Sequence, residues 1–318
     1  MTIVRVLAID GGGIRGMIPA VVLAELERRA ERPIAELFDL IAGTSTGGIL
    51  AAALTVPGGD GRPRSTAAEV VRHYEHLGPR VFDRSLLRRI VSADGLLDER
   101  YDSDGLRSAL DDELGDARLS QTLTDVVLTA YDLEQRRAVF FRTWRALADP
   151  SQDFRLADAV LATASAPTYF EPARVSSVAG GRVGTLVDGG VFATNPSMCA
   201  LAEVARMGRL DDVLVVSLGT GSKTDPIPYD EARGWGRLEW AQPILDVVFD
   251  GAADTVDFQA AQLLPDGSYH RFQVELPRGI ALDDASPATI AELRAVGMQL
   301  VQDRSDDLDT VVAVLAGG

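Results

Sequence analysis

The chain is poor in cysteine and histidine and short of positive charge. Cys199 is the one cysteine among 318 residues. That excludes an internal disulfide framework and a cysteine-rich zinc site. It stands in NPSMCALAEV, which reads as helix, so a buried, inert thiol is expected. Only three histidines are candidates for a general base: His73 and His76 in VRHYEHLG, and His270 in SYHRFQVEL. Lys and Arg total 31 against 47 Asp and Glu, a formal net charge of −16. Binding a phosphate backbone needs basic clusters, so no nucleic-acid partner is expected. Strong attraction to anionic lipid is disfavoured too, whereas apolar contact with a bilayer is not. The longest weakly charged stretch, 41–55, is shorter than the roughly 20 residues of a membrane helix and contains Gly, Ser and Thr, so no transmembrane segment is expected. The opening MTIVRVLAID has no basic leader, apolar h-region or cleavage site and reads as a strand, so the expected location is cytoplasmic.

Apolar residues make up 46% of the chain, enough for a large core. Short apolar, β-branched runs predict strands at 3–9, 38–43, 123–129, 139–142, 185–188, 213–217 and 270–275. Helical spacing predicts helices at 17–29, 43–55, 66–77, 154–164, 196–205 and 288–301, with a loop at 58–64. Strands alternating with helices indicate an α/β fold with a mostly parallel sheet. No repeat and no linker divides the chain, so residues 1–318 read as one domain.

Two glycine turns carry the chemistry. The first, AIDGGGIRG at 8–16, places Gly11, Gly13 and Gly16 in the spacing G-x-G-x-x-G after a strand and before a helix. That is half of a dinucleotide fingerprint, which also needs an acid closing the second strand. Glu36 and Asp39 precede the second apolar run and do not end it. What ends it is Gly43-Thr44-Ser45-Thr46-Gly47, the pattern G-x-S-x-G. Such a strand-to-helix turn strains the serine backbone and holds its oxygen out at the carboxyl end of a sheet. A serine attacking an ester creates an oxyanion that needs N–H donors. Gly11, Gly12 and Gly13 offer adjacent amides with no side chain in the way, and Arg15 could add positive charge at their edge. The base is open at this point. Asp188 ends an apolar strand in LVDGGVFATNP, before Gly189 and Gly190. Ser45, Asp188 and His270 also follow the chain order of a Ser-Asp-His triad. The segment 80–91, RVFDRSLLRRIV, is a basic amphipathic stretch suited to a lipid entrance, or an ordinary surface helix.

Five motifs in order, DGGGIRG (10–16), AGTSTGG (42–48), ASAPTYFEP (164–172), DGGVFATNP (188–196) and SLGTG (217–221), resemble the patatin-like phospholipases, most of all a plant-patatin-like bacterial group. The resemblance implies a three-layer α/β/α sandwich and a lipid acyl hydrolase acting on phospholipids or related esters. It implies a Ser–Asp dyad of Ser45 and Asp188, with no histidine. Gly11, Gly12, Gly13 and Arg15 would form the oxyanion segment, Gly43 and Gly47 the elbow, and Gly189 and Gly190 the Asp loop. It implies no metal and no cofactor. An acyltransferase, a dinucleotide-binding oxidoreductase and a catalytically silent protein stand as alternatives.

Overall fold

The computed structural model describes residues 3–82, 87–91, 97–180, 183–222, 226–240 and 243–317. Its strands are β1 (Val4–Ile9), β2 (Leu40–Gly43), β3 (Leu87–Val91), β4 (Leu97–Tyr101), β5 (Asp125–Asp132), β6 (Arg137–Arg142), β7 (Ala173–Ser176), β8 (Val183–Asp188), β9 (Val213–Leu218) and β10 (Tyr269–Phe272). The longer helices are α1 (Met17–Ala30), α2 (Thr46–Ala53), α3 (Ala67–Val81), α4 (Ser103–Leu114), α5 (Leu156–Ala164), α6 (Ser197–Arg206), α7 (Pro243–Leu263), α8 (Pro287–Asp303) and α9 (Ser305–Ala316).

Eight strands form one sheet in the order β10-β9-β1-β2-β5-β8-β7, with β6 paired to β5. The five from β10 to β5 run parallel, whereas β6 and β8 run antiparallel to β5. Helices cover both faces, giving a three-layer α/β/α sandwich. Successive residues of β1 feed opposite cores: Leu7 and Ile9 pack with α1, α2 and α5, and Val6 packs with Ala200, Leu201 and Val204 of α6. Burial on both faces is why the parallel strands read as unbroken apolar runs.

The sequence-predicted strands and helices are all present, with shifted ends. The 43–55 helix begins only at Thr46, because the turn consumes Gly43 to Ser45. Of the segment 80–91, the first residues finish α3 and its surroundings, residues 83–86 lie outside the described residues, and 87–91 form a strand paired with β4. A surface helix across 80–91 is therefore not what forms.

The pairing along β5 decides where the site lies. β6 occupies one edge of β5 from Val127 to Asp132. The other edge is shared. β2 lies along it up to Leu128, where Gly43 pairs, and β8 lies along it from Asp132 back to Ala130, where Asp188 pairs. Since β2 is parallel and β8 antiparallel to β5, their carboxyl ends point at each other across Thr129.

Candidate active site

Ser45 leaves the end of β2 and caps α2 with φ 56° and ψ −124°. This is the strained serine expected of a G-x-S-x-G turn, at a cost of about 1–3 kcal/mol. The flanking glycines exist for close approach. A Cβ on Gly43 would stand 2.4 Å from the Gly47 carbonyl oxygen, and one on Gly47 would stand 2.1 Å from that of Ile9. The strained turn is anchored from beneath: Ser45 N–H donates to Thr163 Oγ1 on α5 at 3.0 Å. Thr44 Oγ1 donates to the Ala193 carbonyl at 2.7 Å and shares a 2.7 Å hydrogen bond with Thr129 Oγ1.

Asp188 meets Ser45 from the opposite direction. Its carboxyl is 2% exposed and accepts hydrogen bonds from Ser45 and, at 2.7 Å, from the Gly190 N–H. Burial pushes this carboxyl from 3.8 up to about 7, although both hydrogen bonds pull the other way. Gly189 is required by packing, because a Cβ there would lie 2.0 Å from Thr129 Oγ1.

The first glycine turn leaves β1 at the level where β2 ends, since Ile9 pairs with Gly43. It therefore stands beside Ser45. The amides are not equivalent, and here the expectation for Gly11 is corrected: its N–H is donated to the Thr194 carbonyl at 2.9 Å and is unavailable to an oxyanion. The described hydrogen bonds leave the Gly12 and Gly13 N–H groups without an acceptor, and both residues line the cavity at Ser45. Arg15 is corrected too. It is buried in a 3₁₀ turn, does not line the cavity, and donates from Nη1 to the Gly221 carbonyl at 3.3 Å. Burial lowers its pKa, opposed by Asp250 and Asp246 of α7. It ties Gly221 to the glycine turn.

The dinucleotide alternative fails on its acid: Asp39 precedes β2, at the end opposite the glycine turn, and its carboxylate is taken by Arg5. The glycines of the loop are explained by packing: a Cβ on Gly12 would meet Thr220 Oγ1 at 2.2 Å, one on Gly13 (φ 56°) the Leu282 carbonyl at 2.2 Å, and one on Gly16 Thr46 Oγ1 at 2.2 Å. The triad alternative fails as well. His270 is on the edge strand β10, separated from β2 by β9 and β1, roughly 14 Å at ordinary strand spacing. Its Nε2 is 3.1 Å from the Gly267 carbonyl oxygen. His76 Nδ1 sits 2.6 Å from the Arg72 carbonyl of its own helix. His73 faces the cavity, but beside Glu113.

That cavity has a volume of about 130 Å³. Gly12, Gly13, Ser45 and Asp188 border it, and Ile49, Leu77, Phe82, Leu110 and Phe249 give it an apolar wall. Among the described residues no cluster of His, Cys, Asp or Glu could hold a metal, and no helix is long and apolar enough to cross a membrane. Cys199 lies elsewhere, its thiol pushed up to about 11 by burial. Sequence reasoning missed the supports: Thr163, Thr129 and Thr220, whose Oγ1 donates to the Gly11 carbonyl at 2.7 Å. It also missed Arg271 on β10, which forms a buried ion pair with Asp10 just before the glycine turn (Nη1–Oδ1 3.0 Å). No local pattern marks these residues, because each acts through a contact with a distant element.

A family model described as "Patatin-like phospholipase" matches residues 7–201. The chain belongs to the patatin-like phospholipase family. Patatin-like protein 1 of Oryza sativa subsp. indica is 34% identical over 95% of this chain and 82% of its own length. Patatin-like protein 1 of Arabidopsis thaliana is 33% identical over the same shares. Patatin-04/09 of Solanum tuberosum is 31% identical over 94% of this chain and 84% of its own. A solved structure, VipD from Legionella pneumophila, aligns with a TM-score of 0.37 and 11% identity over 95% of this chain and 67% of that one, too distant to add to the sequence match. Membership of the patatin-like phospholipase family supports a lipid acyl hydrolase activity for this chain.

Proposed function

We propose that the protein is a serine carboxylic ester hydrolase of the phospholipase A type, cleaving acyl esters of phospholipids or related lipids through Ser45 and Asp188. The observation that carries this reading is the hydrogen bond between Ser45 and a buried carboxyl poised at about 7, at the mouth of an apolar cavity. An ordinary carboxylate is a weak base for a hydroxyl, and raising its pKa toward the working pH corrects that. Asp188 takes the Ser45 proton as Oγ attacks the acyl carbon. The oxyanion accepts hydrogen bonds from the Gly12 and Gly13 amides. Asp188 returns the proton to the leaving alcohol, and the acyl group remains on Ser45. A water then gives its proton to Asp188 and attacks the acyl-serine, and Asp188 passes that proton to Ser45 Oγ as the acyl–oxygen bond breaks and the fatty acid is released. The lipid is taken from a membrane surface, with its acyl chain in the cavity.

A serine-directed fluorophosphonate is expected to label Ser45, and Ser45→Ala to lose both labelling and hydrolysis across a phospholipid and simple-ester panel read by mass spectrometry. Equal labelling of Ser45→Ala at another site would refute the assignment. Adding alcohol or amine acceptors to the same assay distinguishes hydrolysis from acyl transfer.

A further inference from the structure

The apolar cavity has a second polar border away from Ser45 and Asp188. It follows a single face of α2, from Thr46 through Ile49 to Ala53, so it runs away from Ser45 toward the carboxyl end of that helix. α3 and α4 form its other walls. At the far end His73 of α3 and Glu113 of α4 both face it, with Nδ1 2.9 Å from Oε2. The position of this pair follows from the chain. The Glu113 carbonyl accepts from Arg64 Nη1 at 2.7 Å, and Arg64 N–H donates to the carbonyl of Val56, just beyond the end of α2. The backbone of Glu113 is thereby tied through Arg64 to the segment that follows α2, on the side opposite Ser45. His73 and Glu113 are 35% and 25% exposed at their side chains, so they stand between the apolar channel and solvent. The reaction at Ser45 uses neither.

We infer that the His73–Glu113 pair is the stop at the end of an acyl-chain channel and sets the longest acyl chain that the site accommodates. This rests on Ser45 being the acylated residue. A chain that ends short of the pair lies mostly among apolar side chains, and the Thr46 and Tyr74 hydroxyls on its path are bonded to each other. A longer one must push its methyl end between two polar groups, separating them or displacing their water without replacing either contact. From Thr46 to Ala53 the helix advances about 10 Å, which an extended chain at roughly 1.2 Å per bond covers in about eight or nine bonds. The preferred acyl group is thus of medium length.

The test is a series of p-nitrophenyl esters from four to sixteen carbons, with kcat/KM measured for the wild type, His73→Ala, Glu113→Ala and Glu113→Gln. In the wild type each added methylene is expected to raise kcat/KM about four-fold up to about eight to ten carbons, and none beyond. His73→Ala and Glu113→Ala are expected to move the turning point out by about two to four methylenes and to raise the ratio of the fourteen-carbon to the eight-carbon ester at least about ten-fold. Glu113→Gln, which keeps the size and a hydrogen-bonding group, keeps the wild-type turning point. A parallel series of fatty-acid dissociation constants on the Ser45→Ala protein reads the channel without turnover and should break at the same length. Hydrolysis by all proteins with one unshifted profile would overturn the stop and leave the hydrolase reading intact. No hydrolysis at any length would overturn the hydrolase reading, and the fatty-acid series would still decide the stop.

Discussion

Asp188→Asn is expected to stop turnover and, at pH 8, to make the protein more stable. Both effects come from one property. The Asp188 carboxyl is pushed from 3.8 to about 7 by burial. A carboxyl whose folded value is raised holds its proton more tightly folded than unfolded. Its cost to the fold is absent below its ordinary value, grows as the pH climbs from about 4 to about 7, and is constant above that. Three pH units correspond to about 4 kcal/mol of stability forfeited at pH 8, an upper figure for a site that water can enter. Asn keeps the shape, can still accept from the Gly190 N–H, and carries no charge to bury. Denaturant melts of both proteins at pH 5 and pH 8 measure this, and the advantage of Asn should shrink toward pH 5. The wild-type rate is the counterpart. If the ionised carboxylate is the base, kcat/KM follows its fraction, roughly a tenth at pH 6 and nine-tenths at pH 8. A wild-type profile flat from pH 5.5 to 8, or an Asn variant no more stable at pH 8 than the parent, would refute the reasoning.

Gly12→Ala is expected to lower kcat by about 10²–10³, the usual cost of an oxyanion donor, and to lower the urea midpoint as well, because the new Cβ collides with Thr220. Gly12→Val should be worse in both, so an active, fully stable Gly12→Val protein would remove this loop from the site. Thr163→Val takes the acceptor from the Ser45 N–H and should cost about 1–3 kcal/mol in urea unfolding. His270→Ala should keep most of the parental rate on a short ester, since His270 is an edge-strand residue remote from Ser45. An inactive, folded His270→Ala would restore the triad.

Much of the architecture was legible because its signals are local. Fully buried parallel strands appear as apolar runs, and α3 announces itself with a Thr66–Glu69 capping box and periodic Val70, Val71 and Leu77. α4 carries local signals as well, with Leu106, Ala109, Leu110 and Leu114 as its stripe after the Asp102 cap. α7 resists reading for a physical reason. Its exposed surface carries Ile244, Val247, Val248, Phe258 and Leu263, while its buried residues are only Ala253 and Ala260, so the large apolar residues do not mark the face that packs.

The sequence by itself determined the two strained glycine turns, because a G-x-S-x-G turn and a triple glycine are demands made on the local backbone. It also singled out Ser45 and Asp188 as residues at the ends of apolar strands. Only the tertiary structure decided that they meet, since their meeting depends on β2 and β8 approaching head-on along one edge of β5. The same long-range packing decided that the Gly11 amide is consumed by Thr194, that Arg15 turns inward to Gly221, and that His73 faces the cavity with Glu113 at its side. Hydrogen-bond partners and burial are properties of which elements come together, and residue spacing along the chain does not encode them.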